Sequence, residues 1–341
     1  MSPTSSPIPA SGIPRDDERG RATMVVQLSG VERSDQAVAG LDRPVRGLWS
    51  DAWRRLRKNK AAVAGLAYIG VMLVLAIFAP LLAPYDPNNI PSDAFSNTPP
   101  FWMDGGSWDP PLGTDSLARD NLSRLLYGAR VSMIVGIVPT VITVLIGATY
   151  GIVSGWLGGR WDNILMRLVD VVYAFPSLLL FIIMQASLRD TGFGRLLGGL
   201  MLLFVAFAIT GWNGMARLVR GQTLSLREKE FIEAARAVGN TPGRIMLRHV
   251  LPNSLAPIIV SVSFSIPAYI LAEASLSFLG IGIRPPNASW GSMVFQAFPL
   301  ITFMPIFVIM PSLLIAMIMI AFAFVGDGLR DALDPQSDRQ R

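Results

Sequence analysis

Long apolar stretches alternate with short polar ones through most of this chain. Their spacing predicts membrane-spanning helices at 61–83, 131–156, 164–188, 196–215, 254–283 and 301–325. Each is close to or above the roughly 20 residues a helix needs to cross a bilayer core. Gly136, Gly147, Gly151 and Gly155 punctuate the second span; Gly147 and Gly151 form a GxxxG pair, which lets helices approach closely in lipid. Pro176 predicts a kink in the third span. Residues 1–48 are rich in Ser, Pro, Gly and mixed charge without periodicity, and read as a disordered tail. A secretory signal would place its apolar core within roughly the first 15–30 residues. The first long apolar run starts at Ala61, so no cleaved leader is expected.

The polar stretch 224–253, LSLREKEFIEAARAVGNTPGRIMLRHVLPN, separates the fourth and fifth spans and holds the densest charge of the second half. Its local signals predict two small helices with a tight elbow between them. Residues 231–238 contain strong helix formers, and Gly239 suits the left-handed residue that closes a helix. Thr241 is placed to cap the next helix with Pro242 at its first position; Pro252 and Asn253 are expected to stop it. Two readings of the elbow stand side by side. It is either an amphipathic loop resting on the membrane surface, or a docking element whose Ala234 and Ala235 present a smooth face to another protein's groove, with Gly239 allowing close backbone approach.

Charge then orients the chain. Arg54, Arg55, Arg57, Lys58 and Lys60 place the start of the first span in the cytosol, with Trp49 and Trp53 as interfacial anchors. Alternating crossings put 85–130 and 284–290 outside. They put Arg160, Arg217, Arg220, the stretch 224–253 and the closing Asp327, Arg330, Asp331 and Asp334 in the cytosol, so both termini are cytosolic. Gly291 to Pro299 reads as a re-entrant or interfacial stretch. Within 85–130 the first part is rich in Pro and Asp. In the second part Ala118, Leu122, Leu125, Leu126 and Ala129 share one helical face and Arg119, Asp120 and Arg124 lie on others. This predicts an amphipathic helix at the outer interface, capped by Asp115 or Thr114.

Composition agrees with a membrane protein: 51% hydrophobic and 16% charged residues. The net charge of +5 arises beside apolar spans, as topology signals do, and does not point to nucleic acid. The chain has no cysteine, hence no disulfide framework. A phosphate-binding P-loop needs a Lys following a Gly-rich turn, and none of Lys58, Lys60 and Lys229 follows a Gly. No nucleotide-binding loop is therefore expected on this chain, and no catalytic residue is assigned. The single His249 has no partners at zinc-site spacing and faces either the elbow's docking surface or solvent; no metal or cofactor is expected on this chain.

Glu233-Ala234-Ala235, Gly239 and the Leu251-Pro252 ending resemble the "EAA" loop of ABC importer permeases, with His249 where that motif often has Ile. Two further stretches, LGTDSLARDNLSRLLYGARVS (with Ala118 for the usual Gly) and APLLAPYDP, resemble the dipeptide, oligopeptide and nickel permeases, C-type member of the pair. So does the ending GDGLRDALDP. The resemblance covers about 49–335. It implies an all-α, six-span membrane protein of the type I ABC importer permease fold, in a bacterial or archaeal cytoplasmic membrane. By domain it implies a tail at 1–48, the first span with its external segment at 49–130, a five-helix core at 131–335 and a C-terminal tail at 336–341.

It further implies that 224–253 is the element seated in an ATPase subunit, through Glu233, Ala234, Ala235, Gly239, Arg244, His249, Leu251 and Pro252. The implied partners are a second homologous permease, two cytosolic ATPase subunits carrying ATP and Mg, an extracytoplasmic binding protein and membrane lipid. The implied cargo is a peptide, with nickel chelates, opines or oligosaccharides as alternatives.

Polar groups inside spans are costly and hint at function. Asp170 either pairs with Arg167 near an interface or gates the path. Glu273 either lines the solute path or bonds a neighbouring helix. The Met-rich run 310–319 is a packing or lipid-facing surface, with a soft-metal relay as the alternative. An ion-gradient transporter would be expected to carry inverted repeats, and an exporter half long cytosolic helices; the sequence shows neither.

Overall fold

The computed structural model describes residues 48–90, 95–283 and 285–333. The expected tails at 1–48 and 336–341 lie outside these residues except for Leu48, and so do Arg284, Asp334 and Pro335. Helix α1 (Leu48–Lys58) ends where Asn59 accepts a hydrogen bond from the Ala62 N–H at 3.2 Å and opens α2 (Lys60–Ile77). The single turn α3 (Ala79–Leu82) follows. Among the described residues five helical runs are long and apolar enough to span a membrane. A sixth is the pair α5 (Gly159–Ala174) and α6 (Ser177–Leu188), bent by 68°. The bend falls at Pro176, as expected, because a proline cannot donate to the helical ladder.

The second span begins far earlier than its hydropathy suggests. Helix α4 (Asn121–Leu157) is continuous over 37 residues. Residues 121–130 are therefore its first turns and not a separate interfacial helix. Its cap is Asp120, whose carboxylate accepts from the N–H groups of Leu122 (3.4 Å) and Ser123 (2.7 Å). Thr114 instead donates to the Phe95 carbonyl at 2.7 Å, and Asp115 closes a turn by accepting from the N–H groups of Leu117 and Arg119, each at 2.9 Å. The expected connection at 157–163 also shrinks. Gly158 alone, with φ +64°, separates α4 from α5.

After the turn α7 (Gly192–Arg195), helices α8 (Leu200–Thr210) and α9 (Asn213–Leu226) complete the fourth span. Helix α10 (Glu230–Ala237) and the turn α11 (Pro242–Ile245) flank Gly239. The expected stop at Pro252 is absent. α11 runs through a π-helical turn, Met246–Val250, into α12 (Leu251–Phe278). In a regular α-helix Pro252 would lack a donor and its ring would press on the carbonyl four residues back. The wider π turn just before it takes up that mismatch. Helices α13 (Trp290–Ala297) and α14 (Ile306–Leu333) finish the described chain.

Small residues set the close helix contacts, because van der Waals packing and not water expulsion drives helix association in lipid. Gly147, Gly151 and Gly155 of α4 lie against Trp212, just before α9, and Met215, Ala216, Arg220 and Thr223 of α9, and Gly65 of α2 lies against Ala321 of α14. One apolar core joins Ile69 and Met72 of α2, Leu125 and Met133 of α4, Ile270 of α12, Trp290 of α13 and Phe322 of α14.

Ala118 sits at φ +61°, a left-handed conformation that costs an L-residue with a Cβ roughly 1–2 kcal/mol. Ala118→Gly is expected to raise the unfolding free energy by up to about 1 kcal/mol, with part of the relief offset by glycine's greater unfolded-state entropy. A thermal melt of the detergent-solubilised protein measures it; an unchanged or lower midpoint would contradict the strain argument.

Candidate functional site

The elbow is built from the inside outward. Ile232 and Ala235 of α10, Ile245 of α11 and Val250 of the π turn are buried in one core with Ile152 of α4 and Val219 of α9. Gly239, at φ +84°, turns the chain: its N–H donates to the Arg236 carbonyl (2.9 Å) and the Asn240 N–H to the Ala235 carbonyl (3.2 Å). These are the two hydrogen bonds of a Schellman closure, which needs a left-handed residue where Gly239 stands. A Cβ on Gly239 would meet no neighbouring atom, so backbone conformation selects glycine there.

This geometry divides the expected docking residues. Ala235 is 8% exposed and packs into the chain's own core, so it does not share a smooth outer face with Ala234. Helical geometry explains this, since Ile232 and Ala235 are three residues apart on one stripe. The exposed apolar positions include Phe231, Ala234, Ala237, Val238 (84%) and Leu247. Glu233 and Arg244 are exposed, and His249 is half-buried. Leu251 packs against the elbow core, while Pro252 is exposed on the first turn of α12.

Three contacts tie the elbow's surroundings to the end of α4. Arg227 donates to the Gly155 carbonyl at 3.1 Å. The Arg236 guanidinium lies 4.8 Å from the centre of the Trp156 ring. Arg220 of α9 forms a two-point pair with Asp162 of α5, at 2.6 and 2.5 Å, and Ser154 donates to the same carboxylate at 2.6 Å. Sequence reasoning missed Asp162. A carboxylate just past a glycine pair, facing an arginine 58 residues later on α9, carries no local spacing that would reveal it.

Asp170 pairs with Arg217 of α9 at 2.7 Å, both side chains being well exposed, and not with Arg167 on its own helix. Glu273 is wholly buried. It accepts from Ser277 of α12 at 2.5 Å and from Ser289 at 2.7 Å. Ser289 is the N-cap of α13 and forms a reciprocal capping box with Ser292, so Glu273 fastens the start of α13 to α12. Trp290 follows, fully buried, its indole N–H donating to the Leu125 carbonyl at 3.2 Å. Asp170, Glu273 and the elbow are three separate places in the fold, not one constellation.

Comparison with known proteins places this architecture. Residues 147–339 match the family described as binding-protein-dependent transport system inner membrane component. Residues 47–100 match the N-terminal TM domain of oligopeptide transport permease C. The oligopeptide transport system permease protein OppC of Bacillus subtilis is 40% identical over 289 residues, covering 85% of this chain and 90% of the relative. The dipeptide permease DppC of the same organism is 40% identical over 311 residues, covering 90% and 92%. The glutathione permease GsiD of Pectobacterium atrosepticum is 39% identical over 296 residues, covering 86% and 93%. Among solved structures, an inward-facing methionine ABC transporter, MetNI, superposes with a TM-score of 0.52 at 20% identity, over 62% of this chain and 97% of that one. That likeness is one of fold, the type I ABC importer permease fold. With more than half its length matched by one family and 40% identity to OppC over most of both chains, the chain belongs to the binding-protein-dependent transport system inner membrane component family, as a permease of its dipeptide/oligopeptide C type.

Proposed function

We propose that this chain is half of the translocation path of an ATP-driven peptide importer, and that the elbow at 224–253 carries ATPase closure into its helices. The observation that carries this reading is the elbow's two-sided construction. Ile232, Ala235 and Ile245 anchor it in the core while Phe231, Ala234, Val238 and Leu247 stand exposed beside the charged Glu233 and Arg244. An exposed apolar patch with a charged rim is the anatomy of a protein docking surface. The chain has no P-loop, so the nucleotide, ATP with Mg, sits on two cytosolic ATPase subunits. Those subunits drive the change by binding two conformations of the permease with different affinity. A second permease completes the path, and an extracytoplasmic binding protein delivers the solute. Peptides as cargo are supported by the oligopeptide, dipeptide and glutathione systems of the relatives. The chain lies in the cytoplasmic membrane with both termini and the elbow inside, a reading supported by the basic residues around α1 and α9.

Val238→Asp decides the docking reading. Val238 is 84% exposed, so the substitution is expected to leave the melting midpoint unchanged. ATPase co-purification and uptake are expected to fall about ten-fold or more, as when a central interface residue is lost. Gly239→Val is expected to lose both as well, with some stability, because valine opposes φ +84°. Retention of ATPase association and uptake by both variants would remove the elbow from the coupling role. A reporter inserted at Asn240 that is active outside the membrane would reverse the orientation.

A further inference from the structure

The basic residues ahead of the first span are sorted onto one side of the chain. Ala52 and Leu56 of α1 are buried in a small core with Ala62 of α2 and Ala332 of α14, whereas Trp53, Arg54, Arg57 and Lys58 are exposed. Helical geometry makes the division, since residues 52 and 56 share one stripe and the exposed four lie on the opposite one. The same division continues into α2. Ala62, Gly65 and Ile69 face inward, while Lys60, Val63, Val71 and Val74 are exposed on the other side. Both helices rest on one spot of α14, because a Cβ on Gly328 would stand 3.0 Å from Leu56 and 2.5 Å from Ala62. Lys60 therefore heads the apolar stripe that α2 turns away from α14, and the α1 cations stand beside it.

These charges are not paired off within the protein. Arg54, Arg57, Lys58 and Lys60 have no carboxylate partner among the described residues; Arg57 lies instead over the Trp53 ring, 4.9 Å from its centre. Residues 1–47 bring six basic and six acidic side chains, and residues 334–341 two of each, so neither end shifts the net balance. Trp53 is 51% exposed and combines an apolar ring with an indole N–H, which suits the boundary between headgroups and acyl chains. The surface that complements this arrangement is an anionic leaflet. Its headgroups are dense at the level where α2 enters the hydrocarbon, and each Lys or Arg beside them strengthens attachment by roughly five-fold.

We infer that the outward face of α1 binds anionic phospholipid of the cytosolic leaflet through Arg54, Arg57, Lys58 and the adjoining Lys60, with Trp53 at the acyl boundary, and that this lipid holds α1 against the end of α14. The inference rests on the proposed topology, in which α1 is cytosolic.

The test places the assembled transporter, with this chain at full length, in nanodiscs of phosphatidylcholine alone and of equal parts phosphatidylcholine and phosphatidylglycerol. Phosphatidylglycerol is expected to raise the wild-type melting midpoint by about 2–4 °C, because a ligand bound only to the folded state stabilises it by mass action. The rise should shrink at high salt, as contacts between exposed charges do. The triple variant Arg54→Gln, Arg57→Gln, Lys58→Gln changes exposed positions only, so it is expected to match wild type in phosphatidylcholine. It should lose at least about half of the rise, whereas Arg54→Lys with Arg57→Lys should keep it. Inorganic phosphate added to the complex in detergent separates a lipid site from a site for any phosphate, and no rise is expected there. A phosphate rise equal to that with phosphatidylglycerol would overturn the inference. So would a wild type indifferent to phosphatidylglycerol, or a triple variant that keeps more than half of the rise. Both leaflets of a nanodisc carry the anionic lipid, so these melts read the lipid site whichever way the chain faces, and the reporter at Asn240 reads the topology separately.

Discussion

Asp115→Asn is expected to destabilise the protein by about 3–5 kcal/mol, the cost of removing one partner of a buried ion pair. The substituted amide can still accept from the Leu117 and Arg119 N–H groups, so the turn itself survives. What is lost is the negative charge between the guanidiniums of Arg119 and Arg124, which are almost wholly buried. The midpoint of a thermal melt should fall by roughly 10 °C. Asp109 provides the contrast. Its carboxylate accepts from the Tyr85 hydroxyl in an exposed position, and that contact pushes the Tyr85 phenol up from its ordinary value. Asp109→Asn should stay within about 0.5 kcal/mol of wild type. Equal melts for the two variants would mean that burial of the arginine pair contributes nothing.

Gly151→Leu is expected to prevent a stable fold. A Cβ at residue 151 would stand 2.4 Å from the Ala216 carbonyl oxygen and 2.9 Å from the Arg220 nitrogen, both backbone atoms that cannot move alone. Even Gly151→Ala must push α9 away from α4, at about 1–3 kcal/mol for the overpacking. The displacement would also pull Arg220 from Asp162 and leave that carboxylate buried without its partner. Gly221→Ala, on the facing helix α9 but with open space around it, should be neutral or stabilising by up to about 1 kcal/mol. Folded yield on size-exclusion chromatography in detergent reads the difference. A monodisperse Gly151→Leu protein with a wild-type melt would show that the glycine seam is not a close contact.

The spans were legible because hydropathy integrates over many residues, so single errors average out. The bend at Pro176 and the left-handed turn at Gly239 were legible because proline and glycine impose their geometry locally. What escaped reading depends on partners far along the chain. Residues 121–130 look like a surface helix because Arg124 is charged; Asp115 and Gln296, 172 residues away, are what let it be buried. Asp170 has an arginine three residues earlier on its own helix, yet it reaches across to Arg217. Ala234 and Ala235 are the same residue type and opposite in exposure, because Ala235 belongs to the buried core that includes Ile245 and Val219 and Ala234 does not. Pro252 reads as a stop in any linear rule, and only the π turn before it cancels that signal. The elbow's existence was thus readable from its residues, while its inward and outward faces required the packing.

The uninterrupted run from Pro242 to Phe278 is 37 residues, about 55 Å at roughly 1.5 Å each, well beyond the ~30 Å of hydrocarbon it crosses. Its two ends therefore stand well clear of the hydrocarbon on at least one side. Near its far tip Glu273 grips Ser289, and α13 in turn holds both buried arginines through Gln296. One chain of contacts thus runs from Thr241 to residues 115–124, and it is interrupted where the helical ladder is broken, at the widened turn Met246–Val250 and at Pro257 and Pro267.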